Sequence, residues 1–224
     1  LIDPLDIIIR TPGLNNGEIA DGTVAAGDGN PTDIFTIGRG AIESFPGDIT
    51  LEATRDIKVH EDISKANGGL ILTAGRDIVF SDPLNGNFAN IDITATHLDF
   101  TAGRNIRDFS QIGTRLTSTI GDISLQATSG GVRFGLASVP DSRTLSITQA
   151  QSLAMGAGPT GLVTNPDRTN LVLNITSGDL LLGGIFNGFG GEQHVLSLDA
   201  AATGSIRVDD DLTIGRSASL RAAW

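Results

Sequence analysis

The sequence predicts an all-β chain, a parallel β-helix whose short strands stack as the rungs of a solenoid. Three observations predict it. One phrase recurs along the chain, as ITLEATRDIKV around Ala53, LILTAGRDIVF around Ala74, LDFTAGRNIRDF around Ala102 and ISLQATSGGVRF around Ala127. The four alanines are 21, 28 and 25 residues apart, and self-similarity at a period of roughly 20–50 residues marks a repeat architecture. Within each copy apolar and polar residues alternate, which is the period of a strand with one buried face. Hydrophobic residues make up 39% of the chain and charged residues 18%, with 29 glycines. That is too apolar for a disordered chain and too weakly charged for a coiled coil.

The elements follow in order. Residues 5–10, LDIIIR, are a β-branched run suited to a strand. Residues 11–32 carry Pro12-Gly13, Asn15-Asn16-Gly17, Asp21-Gly22 and Asp28-Gly29-Asn30-Pro31, all turn formers. A stretch this long without periodicity predicts an insertion loop. Residues 33–37, DIFTI, resume the strand pattern, and 41–45 lead through Pro46-Gly47 into the repeats. In the first full rung Ile49, Leu51 and Ala53 alternate with Thr50 and Glu52, Ile57 and Val59 flank Lys58, and Ile63 follows a short turn. Later rungs begin at Ile120, Thr144, Leu171, Val195 and Leu212, with loops expected at 83–89, 157–169 and 183–191.

A triplet of strands cannot bury its apolar face alone. Coiling the chain so that each rung stacks on the last encloses one core, with neighbouring strands parallel and about 4.8 Å apart. Parallel sheets need covered crossovers, and in a β-helix the other strands of the rung supply them. Glycine and Asx residues at the corners are expected to take up positive φ. About eight rungs at ~4.8 Å give a stack roughly 40 Å long. Residues 1–224 read as a single segment with no linker.

The net charge is -11. It argues against a nucleic-acid partner, which needs a basic face, and against an anionic membrane surface. With no cysteine, disulfides, thiolate zinc sites and cysteine nucleophiles are excluded. No run approaches the roughly 18 apolar residues of a membrane helix. Leu1-Ile2-Asp3-Pro4 lacks the basic and apolar regions of a signal peptide. No polar cap of the kind solenoids use is evident at the ends. Both points make the chain an expected piece of a longer one.

Residues 1–9, LIDPLDIII, resemble the LLDP-x-NITI segment of filamentous-haemagglutinin-like exoproteins of bacterial two-partner secretion. Residues 42–57, IESFPGDITLEATRDI, are similar to LESL…NVTLEATNNITI in the same proteins. The resemblance covers roughly residues 1–135. It implies that the β-helix is right-handed and belongs to a large secreted or bacterial cell-surface protein that crosses the outer membrane through a transporter barrel. It also implies a part in adhesion, aggregation or biofilm formation. The host, cell-surface or glycan receptor stays open, and no catalytic set comes with the resemblance.

Four constellations could carry chemistry. Arg55-Asp56, Arg76-Asp77 and Arg104-Asn105 occupy one place in successive rungs. They read either as a basic strip for an anionic glycan or, favoured by the net charge, as solvated corners where each Arg pairs with a neighbouring Asp. Asp209, Asp210 and Asp211, near Asp199, are candidate Ca²⁺ ligands, since hard cations want several oxygens, but the spacing of known calcium loops is missing. His60, His97 and His194 lack the paired spacing of a zinc site. A polysaccharide lyase or hydrolase is the main rival to the adhesin reading. It would need carboxylates or Ca²⁺ with an Arg, Lys or Tyr base, and Arg107 and Arg133 are the candidate bases in a chain without tyrosine. The sequence therefore predicts a shaft that presents its loops, 11–32 and 157–169 above all, with no catalytic residue and no cofactor. The alternatives are a polysaccharide-active enzyme and a calcium-stabilised repeat.

Overall fold

A computed structural model describes residues 4–24, 33–80, 91–108 and 114–132, together with the strand backbones Leu136–Ser138, Thr144–Gln149, Ala154–Met155, Asn170–Ile175, Leu180–Leu182, Val195–Ala200, Ile206–Val208 and Ser217–Arg221. The chain is all-β, with parallel pairing throughout the described strands. The elements up to residue 132 are β1 (Asp6–Ile9), a 3₁₀ turn (Asn16–Ile19), β2 (Thr23–Val24), β3 (Ile34–Ile37), α1 (Arg39–Ser44), β4 (Ile49–Ala53), β5 (Asp56–Val59) and β6 (Ile63–Ser64). They continue with β7 (Leu70–Ala74), β8 (Asp77–Phe80), β9 (Asp92–Ala95), β10 (Leu98–Ala102), β11 (Asn105–Asp108), β12 (Arg115–Ser118) and β13 (Ile123–Ala127). The later strand backbones, in the order above, are β14 to β21. The loops expected at 83–89, 157–169 and 183–191 lie outside the described residues.

Three sheets receive these strands in rotation. A long sheet runs β2-β4-β7-β10-β13 and on through β15, β17, β19 and β21. A second runs β3-β1-β5-β8-β11, and a third β6-β9-β12-β14. Each of the triplets β4-β5-β6, β7-β8-β9 and β10-β11-β12 thus visits the sheets in the same order. A further sheet joins β16, β18 and β20. The register follows the repeated phrase. Ala53 pairs with Ala74, Ala74 with Ala102 and Ala102 with Ala127. The alignment read from the sequence is the pairing found.

Period two puts every second residue of a strand inside, and register stacks like on like. Ile49, Leu70, Leu98 and Ile123 form one buried column, and Leu51, Leu72, Phe100 and Leu125 the next. Ile7, Ile57, Ile78 and Ile106 form a third, from the second sheet. Phe80 meets Phe100 across the interior with ring centroids 5.9 Å apart. Each such side chain, fully buried, contributes about 1.5–3 kcal/mol. The small alanines Ala53, Ala74, Ala102 and Ala127, at most 4% exposed, end β4, β7, β10 and β13 where the chain turns.

Four expectations are corrected. Residues 11–32 are not simply an inserted loop. Their described part forms the 3₁₀ turn and β2, and β2 pairs with β4. Residues 39–44 form a helix, where 41–45 read only as a lead into the repeats. A helix this short shows no period, yet it has a clear stop, since Phe45 precedes Pro46 and is extended at φ -68°, ψ 129°. One edge is covered, too. Asn15 donates its N–H to the Thr36 carbonyl and accepts the Thr36 N–H on Oδ1, both at 2.9 Å, standing in for a neighbouring strand beside β3. The fourth correction concerns glycine. Among the described residues positive φ occurs at Gly22 and Gly68. Gly75 and Gly103 serve close approach instead, because a Cβ there would lie 2.1 Å from the carbonyl oxygens of Thr54 and Gly75.

Candidate functional site

The polar feature that runs furthest through the described layers is a column of buried aspartates on the second sheet. Asp6, Asp56, Asp77 and Asn105 are register partners on β1, β5, β8 and β11. They are 1%, 4%, 5% and 7% exposed. Each is the first residue of its strand, and Asp56, Asp77 and Asn105 stand where the chain leaves the long sheet. Asp6 Oδ1 accepts the Asp56 N–H at 3.2 Å, Asp56 Oδ1 the Asp77 N–H at 3.3 Å, and Asp77 Oδ1 the Asn105 N–H at 3.1 Å. Asn105 carries the pattern one layer on, accepting from Gly131 at 3.2 Å.

The arginines reach back one layer. Arg55 Nε donates to Asp6 Oδ1 at 2.8 Å, Arg76 Nε to Asp56 Oδ1 at 2.7 Å and Arg104 Nε to Asp77 Oδ1 at 2.9 Å. In each pair Nη2 bonds the other oxygen, closing a two-pronged bracket. Each Arg thus pairs with an Asp at a solvated corner, as expected, but the Asp is the buried one of the preceding layer. Arg55 lies 3.9 Å from its chain neighbour Asp56, but its hydrogen bonds go to Asp6. The pairing removes the picture of a free basic strip, since each guanidinium is held by a buried carboxylate. Lys58 adds its charge 3.8 Å from Asp6, and Arg107, one of the two candidate bases, lies 4.0 Å from Asp77.

Two opposing effects set the acidity of Asp6. Burial pushes the carboxyl up. The Arg55 hydrogen bonds, the Lys58 and Arg55 charges and the Asp56 N–H outweigh it and hold it below the ordinary value. Asp77 is likewise pushed up by burial and pulled further down by Arg104, Asn105 and Arg107. The same pairings raise the three arginines above their usual range.

Other carboxylates do similar work at the corners. Asp48 Oδ1 accepts the Gly69 N–H at 2.7 Å, Asp62 Oδ1 the Asp92 N–H at 2.8 Å and Glu43 Oε1 the Ser64 N–H at 2.8 Å. Glu61 takes both the N–H and the hydroxyl of Thr11, at 2.9 and 2.8 Å. The His60-Glu61-Asp62 corner is thereby a joint between layers, with the His60 N–H donating to the Ile9 carbonyl. His97 stands at another corner, its Nε2 3.9 Å from Asp48 Oδ2. Asp199 lies on β19, in register with Asn174 and Arg221. Asp209, Asp210, Asp211, His194 and Arg133 fall outside the described residues. Among the described residues no three His, Cys, Asp or Glu side chains gather as a metal site.

Sequence reasoning missed Lys65. It is 1% exposed and sits one residue beyond β6, two after the buried Ile63, so period two turns it inward. Its Nζ donates to the Phe45 carbonyl at 2.6 Å and the Ile42 carbonyl at 3.3 Å, and lies 5.6 Å from the Phe45 ring centre. The ammonium thus satisfies the carbonyl end of α1, where a cation is favoured. Burial pushes its pKa down, against the pull of Asp48. The strand alternation Ile63-x-Lys65 was the available signal.

Comparison with protein-family models, curated proteins and solved structures finds no match for this chain.

Two outcomes are expected. Asp6 and Asp77 titrate lower in the folded chain than the ordinary value of 3.8, so the unfolded chain binds more protons in acid. Their stabilising contribution is complete above about pH 5 and is lost as pH falls through the depressed native values. Urea melts at stepped pH will show this acid limb, and Asp77→Asn will make it shallower. Lys65→Met keeps the stem's packing but orphans two buried carbonyls, and costs about 1–3 kcal/mol in the same melts.

Proposed function

We propose that this chain is a right-handed parallel β-helix and serves as a stiff shaft segment of a secreted or cell-surface bacterial exoprotein, of the filamentous-haemagglutinin-like kind that its opening motifs resemble. In that role it crosses the outer membrane through a transporter barrel and holds loops outward for attachment or biofilm formation. The receptor is a cell-surface or glycan ligand that the loops or the rest of the parent protein would meet.

The observation that carries the reading is the Asp6–Asp56–Asp77–Asn105 column with its arginines one layer ahead. A fastener repeated over three successive described layers resists shear between them, which is what a spacer under load requires. The strand triplets support it as well, since their visits to the three sheets in constant order are the path of a coil. The brackets engage Arg55, Arg76 and Arg104, which a basic strip for an anionic polysaccharide would need free. Residues 157–169, the other loop expected to make contacts, lie outside the described residues, and deleting 11–32 would remove β2 and the Asn15 edge cover along with any contact surface.

One experiment separates the three readings. The purified chain is incubated with acidic and neutral polysaccharides, with Ca²⁺ or with chelator, while polymer length, retention and melting temperature are followed. The shaft reading predicts that no polymer shortens and that Ca²⁺ leaves the melting temperature unchanged. Shortening of any polymer would replace it with the lyase or hydrolase reading, and a Ca²⁺-dependent rise in melting temperature with the calcium-stabilised repeat.

A further inference from the structure

Two Asn-Gly pairs lie among the described residues, and the fold treats them differently. Asn16 is the first residue of the 3₁₀ turn, and its Oδ1 accepts the Gly38 N–H at 2.6 Å. The Gly17 carbonyl is also engaged, accepting the Ala20 N–H at 3.2 Å. Asn67 stands exposed at the corner between β6 and β7. Neither its side-chain amide nor the Gly68 N–H makes a hydrogen bond in the structure. Gly68 has φ +86°, and a Cβ there would lie 2.1 Å from the Gly47 carbonyl oxygen. The corner therefore requires glycine, and the glycine leaves its backbone nitrogen unshielded by any side chain, next to an amide that is free to rotate.

We infer that Asn67–Gly68 is a site of spontaneous covalent modification, where Asn67 converts through a succinimide to aspartate and isoaspartate. The Gly68 nitrogen attacks Asn67 Cγ and forms the new C–N bond of a five-membered ring. The side-chain nitrogen leaves as ammonia and takes up the proton lost from the Gly68 amide. Water then adds to one of the two ring carbonyls and reopens the ring, giving aspartate by one cleavage and isoaspartate by the other. Water is the sole co-reactant, and no oxidation state changes. The flanks of the corner stay fixed meanwhile, since the Gly68 carbonyl accepts the Thr96 N–H at 3.1 Å and Asp48 holds the Gly69 N–H. The product puts a new carboxylate at an already acidic corner. As isoaspartate it also lengthens the main chain by one carbon just before Leu70 opens β7.

Asn16 must give up its bond to Gly38 and leave the turn before it can react. A net hydrogen bond of about 1.4 kcal/mol corresponds to roughly tenfold in rate. The full chain is held folded at mildly alkaline pH, and digests are followed by mass spectrometry, with isoaspartyl methyltransferase labelling to identify the product. Asn67 is expected to gain the amide-to-acid mass difference at least about tenfold faster than Asn16. In denaturant the two sites should converge, and Asn67→Ser should abolish the labelling assigned to this corner. Conversion of folded Asn67 no faster than Asn16, or a gap that persists in denaturant, would overturn the assignment.

Discussion

A carboxylate that accepts a main-chain N–H from the next layer is the interaction on which the rest depends. Parallel strands bond to one another along their lengths, but at a corner the chain leaves the ladder and its N–H groups lose their partners. Asp6, Asp56 and Asp77 meet this need on the second sheet, and Asp48, Asp62 and Glu43 meet it at other corners. A buried carboxylate left alone would be costly. The arginine of the following layer covers the charge with a bidentate bond, and it takes on that geometry without leaving solvent. The net charge of -11 is therefore in part architectural.

The same logic governs the N-terminal edges of the described sheets. On β3 the edge is covered by Asn15, which gives and takes a hydrogen bond at Thr36. Below the third sheet α1 lies against β6, its carbonyl end closed by the Lys65 ammonium. The two devices differ in chemistry because the groups to be satisfied differ. A strand edge offers both donors and acceptors, which an asparagine matches, whereas a helix end offers carbonyls alone, which a lysine matches.

The stacking was legible because it is written twice, in the period of two and in the recurrence of the alanines, and both survive insertions of unequal length between copies. The aspartate column had a signal as well. Asp6-Ile7-x-Ile9, Asp56-Ile57-x-Val59 and Asp77-Ile78-x-Phe80 share one form, which places all three carboxylates at one strand position. Their pairing was not legible. Arg55 and Asp56 are adjacent in the chain, while the partner that Arg55 binds is Asp6, 49 residues away. Only the height of one layer against the reach of an arginine decides between them. Lys65 was hidden for a related reason, since a lone lysine in a polar stretch reads as solvated until Ile63 fixes which way the strand faces. The 3₁₀ turn and α1 are each shorter than the window in which a helical period can be seen.

The claim that layers are fastened by brackets one layer out of step can be tested on a single pair. A double-mutant cycle over Arg76→Ala and Asp56→Ala, followed by urea denaturation near neutral pH, isolates the coupling between the two side chains. The bracket predicts a coupling of about 1.5–3 kcal/mol, as for hydrogen bonds to charged groups with one partner buried. A coupling near zero, as many exposed surface pairs give, would contradict it and leave the layers without their brackets.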